Sequence, residues 1–338
     1  MSGGRATARK AKGASPYAKM TGVLAAGAGV LLLLPLAGLD AFLLNVLTLG
    51  FFVAVFAGSW DIVGGMAGQI SLGHALFFGA ATYACALLTS LAGWPFPLAA
   101  VAAVLLAAAA GAAVGALAAP LKGPFVALLT LALGEAAHEF FLGQTFFSPR
   151  GAYSWGGEGG IPVLLGGPPP SPWAAYYAAL GFLVLSTWLM LLIARSQEGL
   201  FWTALSGSEL SASASGVDIP RHKRRAFTIA AALAGAAGVG FAACVGRATA
   251  DDFSLELSFQ AATFAAVGGR GTIVGPVLSA LALHSLLQGT GIPPAGRVLL
   301  YALVLLVTLR FFPRGLAGTL RERARNRRMA AQGKGESR

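Results

Sequence analysis

Charge is scarce in this chain. Asp and Glu number 13, and all charged residues make up 11% of 338 positions, too few to clothe a soluble domain of this size. Cysteine is nearly absent: Cys85 and Cys244 each sit inside an apolar run, which excludes a disulfide framework. The four His are scattered, and His138-Glu139 lacks the second His of a zinc-protease helix, so no metal site is expected. Gly68 to Ala75 has the G-x-x-x-x-G frame of a phosphate-binding loop, but His74 and Ala75 stand where Lys and Ser or Thr are required, which excludes ATP binding by this chain. There is no nucleophile elbow and no Cys/His pairing. The chain is therefore expected to have no catalytic residues and to bind no cofactor.

What remains is apolar. Hydrophobic residues make up 56% of the chain, Gly contributes 46, and mean hydropathy is +0.72. That composition predicts an all-α fold: a polytopic transmembrane bundle with broken or re-entrant helices and about 8–10 membrane segments. Apolar runs occupy 20–38, 41–58, 69–91, 97–119, 124–142, 173–194, 224–246, an interrupted block at 258–288, and 296–312. The net charge of +11 comes from short Lys/Arg clusters at the ends of these runs, which read as topology signals rather than a nucleic-acid surface. Arg5, Arg9, Lys10, Lys12 and Lys19 precede an uncleaved first span. The positive-inside rule places residues 1–19, Lys122, the Arg195 to Arg225 loop and the tail 313–338 in the cytoplasm, with a transmembrane body at 20–312 and an outer loop at 143–172.

The same parity argument demands two elements within 258–288, a short half-helix and a second helix from 272, joined by Gly268, Gly269 and Gly271 near the cytoplasmic face. Gly64, Gly65 and Gly68 form an equivalent break before residues 69–91. The two Val-Gly-Gly strings, at 63–65 and 267–269, read equally as a weak internal repeat and as a chance match. Backbone exposed at membrane depth is tolerated where it lines a cavity, so the polar groups nearest such breaks are candidates for a solute path: Gln69, Ser71, His74, Thr130, Glu135 and His138. Gln69 also reads as a cap of the helix after Gly68, Ser71 and Thr130 as groups bonding their own helix, and His74 as a neutral packing residue. Glu135 and His138, at i and i+3, read equally as a solute gate and as a polar pair satisfied between helices.

One segment differs from all this. Residues 203–216 interleave Ser206, Ser208, Glu209, Ser211, Ser213 and Ser215 with Leu205, Leu210, Ala212 and Ala214, and Gly216 supplies a stop; a short amphipathic cytoplasmic helix is expected there. Six strings occur in order from Val63 to Gly318: GQISLGHALFFGAATYACALL at 68–88, LKGPFVALLTLALGEAAHEF at 121–140, GGEGGIP at 156–162, the 195–240 segment, FSLELSFQAATFAAVGGRGTIVGPVLSA at 253–280, and FFPRGLAG at 311–318. Together they resemble the M-type inner-membrane permease of ABC importers for branched-chain amino acids and related solutes.

The resemblance implies a multi-pass protein of the bacterial cytoplasmic membrane with both termini cytoplasmic. It implies a heterodimer with a second permease subunit, two cytoplasmic ATPase subunits that carry ATP and Mg, and an extracytoplasmic solute-binding protein. Leu205, Glu209, Ala212 and Gly216 match the family's coupling segment, which implies that they couple this chain to the ATPase; the family's basic residue near Ser206 is missing here. The outer loop, with Arg150, Tyr153, Trp155, Glu158 and Trp173, reads equally as a docking surface for the binding protein and as a rigid lid with interfacial aromatics. Branched-chain amino acids, urea, amides and carboxylates all remain open as solutes. A secondary transporter or a passive channel for small solutes is the alternative reading.

Overall fold

The structure, a computed structural model, describes residues 16–38, 40–147, 154–156, 159–168, 170–290, 292–311, 315–316 and 318–319. Arg5, Arg9, Lys10, Lys12, Arg150, Tyr153, Glu158 and most of the 313–338 tail lie outside the described residues, as do the side chains of Lys19 and Trp155.

Twelve helices make up the described chain: α1 (Pro16–Leu33), α2 (Ala41–Asp61), α3 (Ala75–Ser90), α4 (Phe96–Ala118), α5 (Pro124–Leu142), α6 (Pro172–Arg195), α7 (Gln197–Gly207), α8 (Glu209–Ala214), α9 (Ile219–Val245), α10 (Leu255–Gly268), α11 (Val274–Gly289) and α12 (Pro294–Phe311). Five stretches are long and apolar enough to cross a membrane: Ala41–Met66, Phe96–Ala118, Pro124–Leu142, Pro172–Arg195 and Ile219–Val245; four shorter apolar helices accompany them. The expected helical bundle is present. Two small antiparallel pairs, which the apolar pattern did not signal, sit at one end: β1 (Thr145–Phe147) with β2 (Ser154–Gly156), and β3 (Ile161–Pro162) with β4 (Arg247–Ala248).

Small residues set the closest helix crossing. Along α4, Ala99, Ala103, Ala107, Gly111 and Gly115 recur every fourth position and are buried, forming one smooth stripe against α9. A methyl at Gly111 would stand 2.3 Å from the Ala231 Cβ, and one at Gly235 2.6 Å from the Ala107 Cβ. Val101, Leu105 and Leu106 occupy other faces of α4 and are exposed, as lipid-facing residues should be.

The breaks fall differently from expectation. Gly64 and Gly65 do not end α2; they lie in a π-helical turn, Ile62–Met66, closed by the Ala67 N–H donating to the Ile62 carbonyl at 3.0 Å. The wider turn keeps its bonds, so the chain leaves the helix only at Gly68, where φ is +69°. Residues 67–74 then run without helix, and α3 starts at Ala75 rather than at 69. Gln69 therefore caps nothing in α3. In the 258–288 block, α10 and α11 are separate helices as parity required, joined through Gly269 and Gly271 at φ +107° and +73°.

These two breaks touch. A Cβ at Gly65 would stand 2.4 Å from the Gly271 nitrogen, so side chains at this crossing are impossible. Asp61 ties the same crossing together: one carboxylate oxygen accepts from the Gly271 N–H at 2.7 Å, the other from the Ile273 N–H at 2.9 Å. Ile273 sits at φ +57°, costly for a β-branched residue, and this bidentate grip restrains it. Gly315 completes the cluster, its hypothetical Cβ 2.5 Å from the Gly269 Cα.

Candidate coupling site and solute path

The segment expected as one helix at 203–216 is an elbow. Ser208, at φ −164° and ψ 113°, interrupts it, and its hydroxyl accepts from the Ser211 N–H at 3.3 Å. A serine whose side chain meets the first free amides of a turn starts a new helix, so α7 ends and α8 begins there. Gly216, at φ +80°, ends α8: its N–H donates to Ser213 and the Val217 N–H to Ala212, at 2.9 and 3.1 Å.

Charge pins the elbow to α9. Glu198 of α7 meets His222 Nδ1 at 2.7 Å and accepts from Arg225. Glu209 of α8 meets the Lys223 ammonium at 2.9 Å and accepts from Gln69 Nε2 at 3.0 Å, both on Oε1. Lys223 is fully buried and also donates to the Leu121 carbonyl at 2.8 Å, which ties in the turn between α4 and α5. Trp202, buried, donates its indole N–H to the His222 carbonyl at 3.0 Å. Glu198, Trp202, His222, Lys223 and Asp61 were not singled out in sequence. Acidic residues either side of Ser208, followed by a basic cluster, were the available signal.

The elbow rests directly on the first break, since a Cβ at Gly68 would stand 2.9 Å from the Ser206 Cα. Leu205 and Ala212 turn into the chain's own packing, whereas Leu200 and Leu210 are 69% and 81% exposed. The outward apolar face of the elbow is thus carried by Leu200 and Leu210.

Ala67, Gln69, Ser71, Gly73 and His74 of the non-helical segment 67–74 are buried, whereas Gly68 and Ile70 are exposed, and several of the buried polar atoms are unsatisfied. Ser71 offers its carbonyl to Trp60 Nε1 at 2.7 Å, and the Leu72 N–H donates to the Thr130 hydroxyl at 3.0 Å. His74 Nε2 lies 3.0 Å from the Ser59 hydroxyl, which donates to the Phe56 carbonyl. Gln69 Oε1, Ser71 Oγ and His74 Nδ1 have no hydrogen-bond partner among the described residues. Thr130 faces this segment from α5. Glu135 and His138 lie farther along α5, where His138 Nδ1 meets the largely exposed Glu139 at 3.9 Å rather than pairing with Glu135. The ligand atoms of all three lie within 4.8 Å of one another.

At the opposite end, Asp252 is buried in a short turn between α9 and α10, where it accepts from the Thr249 N–H at 3.0 Å. Burial pushes its carboxyl up to about 7, against the pull of that bond.

Comparison with known proteins identifies the family of the chain. The family profile described as "Branched-chain amino acid transport system / permease component" matches residues 42–309. A high-affinity branched-chain amino acid transport system permease protein, LivM, of Escherichia coli strain K12 is 28% identical over 267 residues, covering 71% of this chain and 61% of that protein. The LivM protein of Salmonella typhimurium is 29% identical over 251 residues, covering 66% of this chain and 57% of that protein. The chain thus spans about three-fifths of the length of these relatives. No solved structure matches it. With most of its length matched by one profile, the chain belongs to the permease-component family of branched-chain amino acid transport systems.

Proposed function

We propose that this chain is a transmembrane permease subunit of an ABC importer for branched-chain amino acids, working with a second permease subunit, two cytoplasmic ATPases and an extracytoplasmic binding protein. Both termini and the α7–α8 elbow lie in the cytoplasm, and loop 143–172 faces the binding protein. The observation that carries this reading is the elbow itself: Glu209 bonds both Lys223 at the root of α9 and Gln69 in the broken segment, so a push on α8 reaches two transmembrane elements through one carboxylate. ATP-driven closure of the ATPase pair moves the elbow as a rigid unit, and the solute path changes its open side.

The orphaned polar atoms of Gln69, Ser71 and His74 support a path along segment 67–74, because buried polar groups without partners are expensive and are kept where another conformation or a solute satisfies them. The test is to purify the tagged chain from its native membrane, identify co-purifying proteins by mass spectrometry and measure leucine uptake in proteoliposomes. Co-purifying ATPases with ATP-dependent uptake support the reading. A chain that comes out alone and passes solute without ATP overturns it in favour of a channel or secondary transporter.

A further inference from the structure

A cavity of about 430 Å³ opens at the end of the bundle where α9 hands over to α10, at the far end of α9 from the elbow; its wall residue Phe78 lies one helical turn beyond His74. Its volume falls in the range of small-molecule sites. One wall is apolar, formed by Val53, Phe78, Phe241 and Leu257. The other carries ionisable groups: Asp251, the buried Asp252 and Glu256 from the turn and start of α10, and Arg297 from α12, which donates to Gln288 beside it.

A further group points to a ligand independently. His284 lines the cavity and is 6% exposed, yet its Nδ1 has no hydrogen-bond partner among the described residues. A buried ring nitrogen without a partner is a cost that a bound polar group removes. The cavity therefore offers a guanidinium, an unpaired imidazole nitrogen, three carboxyl groups and an aliphatic-aromatic wall within one pocket.

We propose that this cavity is a binding site for a zwitterionic α-amino acid with an aliphatic side chain. Arg297 and His284 take the carboxylate, Asp251 and Glu256 take the ammonium, and the branched side chain lies against Phe78, Phe241 and Val53. Arg presents a planar fork that fits a carboxylate, and the two acidic side chains repel an anion that brings no ammonium. The site rests on the reading of the chain as an amino acid permease and deepens it: selectivity resides in this subunit as well as in whatever delivers the solute.

The test uses the full chain co-purified with its partner subunits and without any binding protein. Binding of radiolabelled L-leucine is measured by scintillation proximity, with isovalerate and isoamylamine as competitors that each lack one charge. Leucine and valine are expected to compete, isovalerate at least about tenfold more weakly. Arg297→Gln and Glu256→Gln should each weaken leucine binding about tenfold or more, the loss expected for one charge-assisted hydrogen bond, and Arg297→Lys should fall between. Size-exclusion profiles and basal ATPase rates of the variants show whether they assemble; if one does not, His284→Gln supplies the same readout. Isovalerate competing as well as leucine, or assembled variants binding leucine as the parent does, overturns the site. In either case, ATP-driven leucine uptake by the parent complex, measured separately with its binding protein supplied, leaves the importer reading standing; absence of that uptake removes the importer reading instead.

Discussion

The ammonium of Lys223 lies 2.9 Å from Glu209 Oε1, and the lysine side chain is wholly shielded from solvent. The same oxygen receives Gln69 from the broken segment after α2, so one carboxylate ties together the elbow, the root of α9 and the first break. The geometry explains why an acidic residue stands in a helix otherwise built from leucine, serine and alanine.

Breaking one side of that pair strands a charge. Removing one partner of a buried ion pair costs about 3–5 kcal/mol, and the 20% exposure of Glu209 puts the expectation at the low end of that range. Lys223→Met should lower the unfolding temperature in detergent, and the double variant Lys223→Met, Glu209→Gln should recover a large part of the loss. A double-mutant cycle with no coupling energy would refute the pairing. Glu209→Lys is a poor test of coupling alone, because it sets two ammonium groups against each other at the base of the bundle.

Asp61 should behave as a clamp on the second break. Asparagine offers one acceptor where the carboxylate supplies two, and turns its amide toward a backbone N–H, a loss of about 1–3 kcal/mol. Asp61→Asn is therefore expected to destabilise the protein and to speed hydrogen exchange at the Gly271 and Ile273 amides. Unchanged protection at both would show that the grip contributes nothing.

Gly216 separates backbone strain from coupling. Nothing lies within 4 Å of where its Cβ would sit, so Gly216→Ala meets only the cost of a left-handed backbone, about 1 kcal/mol. Proline cannot adopt φ +80° and lacks the N–H that bonds Ser213. Gly216→Ala should retain ATP-dependent leucine uptake near the parent level, and Gly216→Pro should abolish it while the complex still assembles. Equal uptake by both variants would show that the end of α8 is not part of coupling.

The buried carboxyl of Asp252 makes stability depend on pH. Its ordinary value of 3.8 is raised to about 7 in the fold, so between these limits the folded protein holds a proton that the unfolded chain has lost. Stability contributed by this group accordingly falls as pH rises through that window and levels off above about pH 7. The unfolding midpoint of the parent, compared with that of Asp252→Asn, should drop between about pH 5 and about pH 7; parallel profiles would exclude the shift.

Much of the architecture could be read from the chain. Apolar runs of membrane length, Lys and Arg at their ends, and the parity of crossings indicated the bundle and required α10 and α11 to be separate, because hydrocarbon admits few solutions for a backbone. The every-fourth stripe from Ala99 to Gly115 was not singled out within the apolar run 97–119, and its partner was not legible there. Patterning marks a face but does not say what covers it.

The site is another matter. Glycine composition could not distinguish a broken helix from a widened one, since Gly64 and Gly65 keep π-type bonds and the chain turns only at Gly68. Ser208 carried a capping signal that the amphipathic pattern of its neighbours masked. Only folding brought Asp61 to Gly271, Glu209 to Lys223 and Gln69, and Arg297 to the cavity that Glu256 and His284 share. Local sequence determines which residues form helices in lipid, where every backbone group must be bonded; which few charges meet is decided by tertiary packing, because each buried charge is tolerated only opposite a partner that lies far away in the chain.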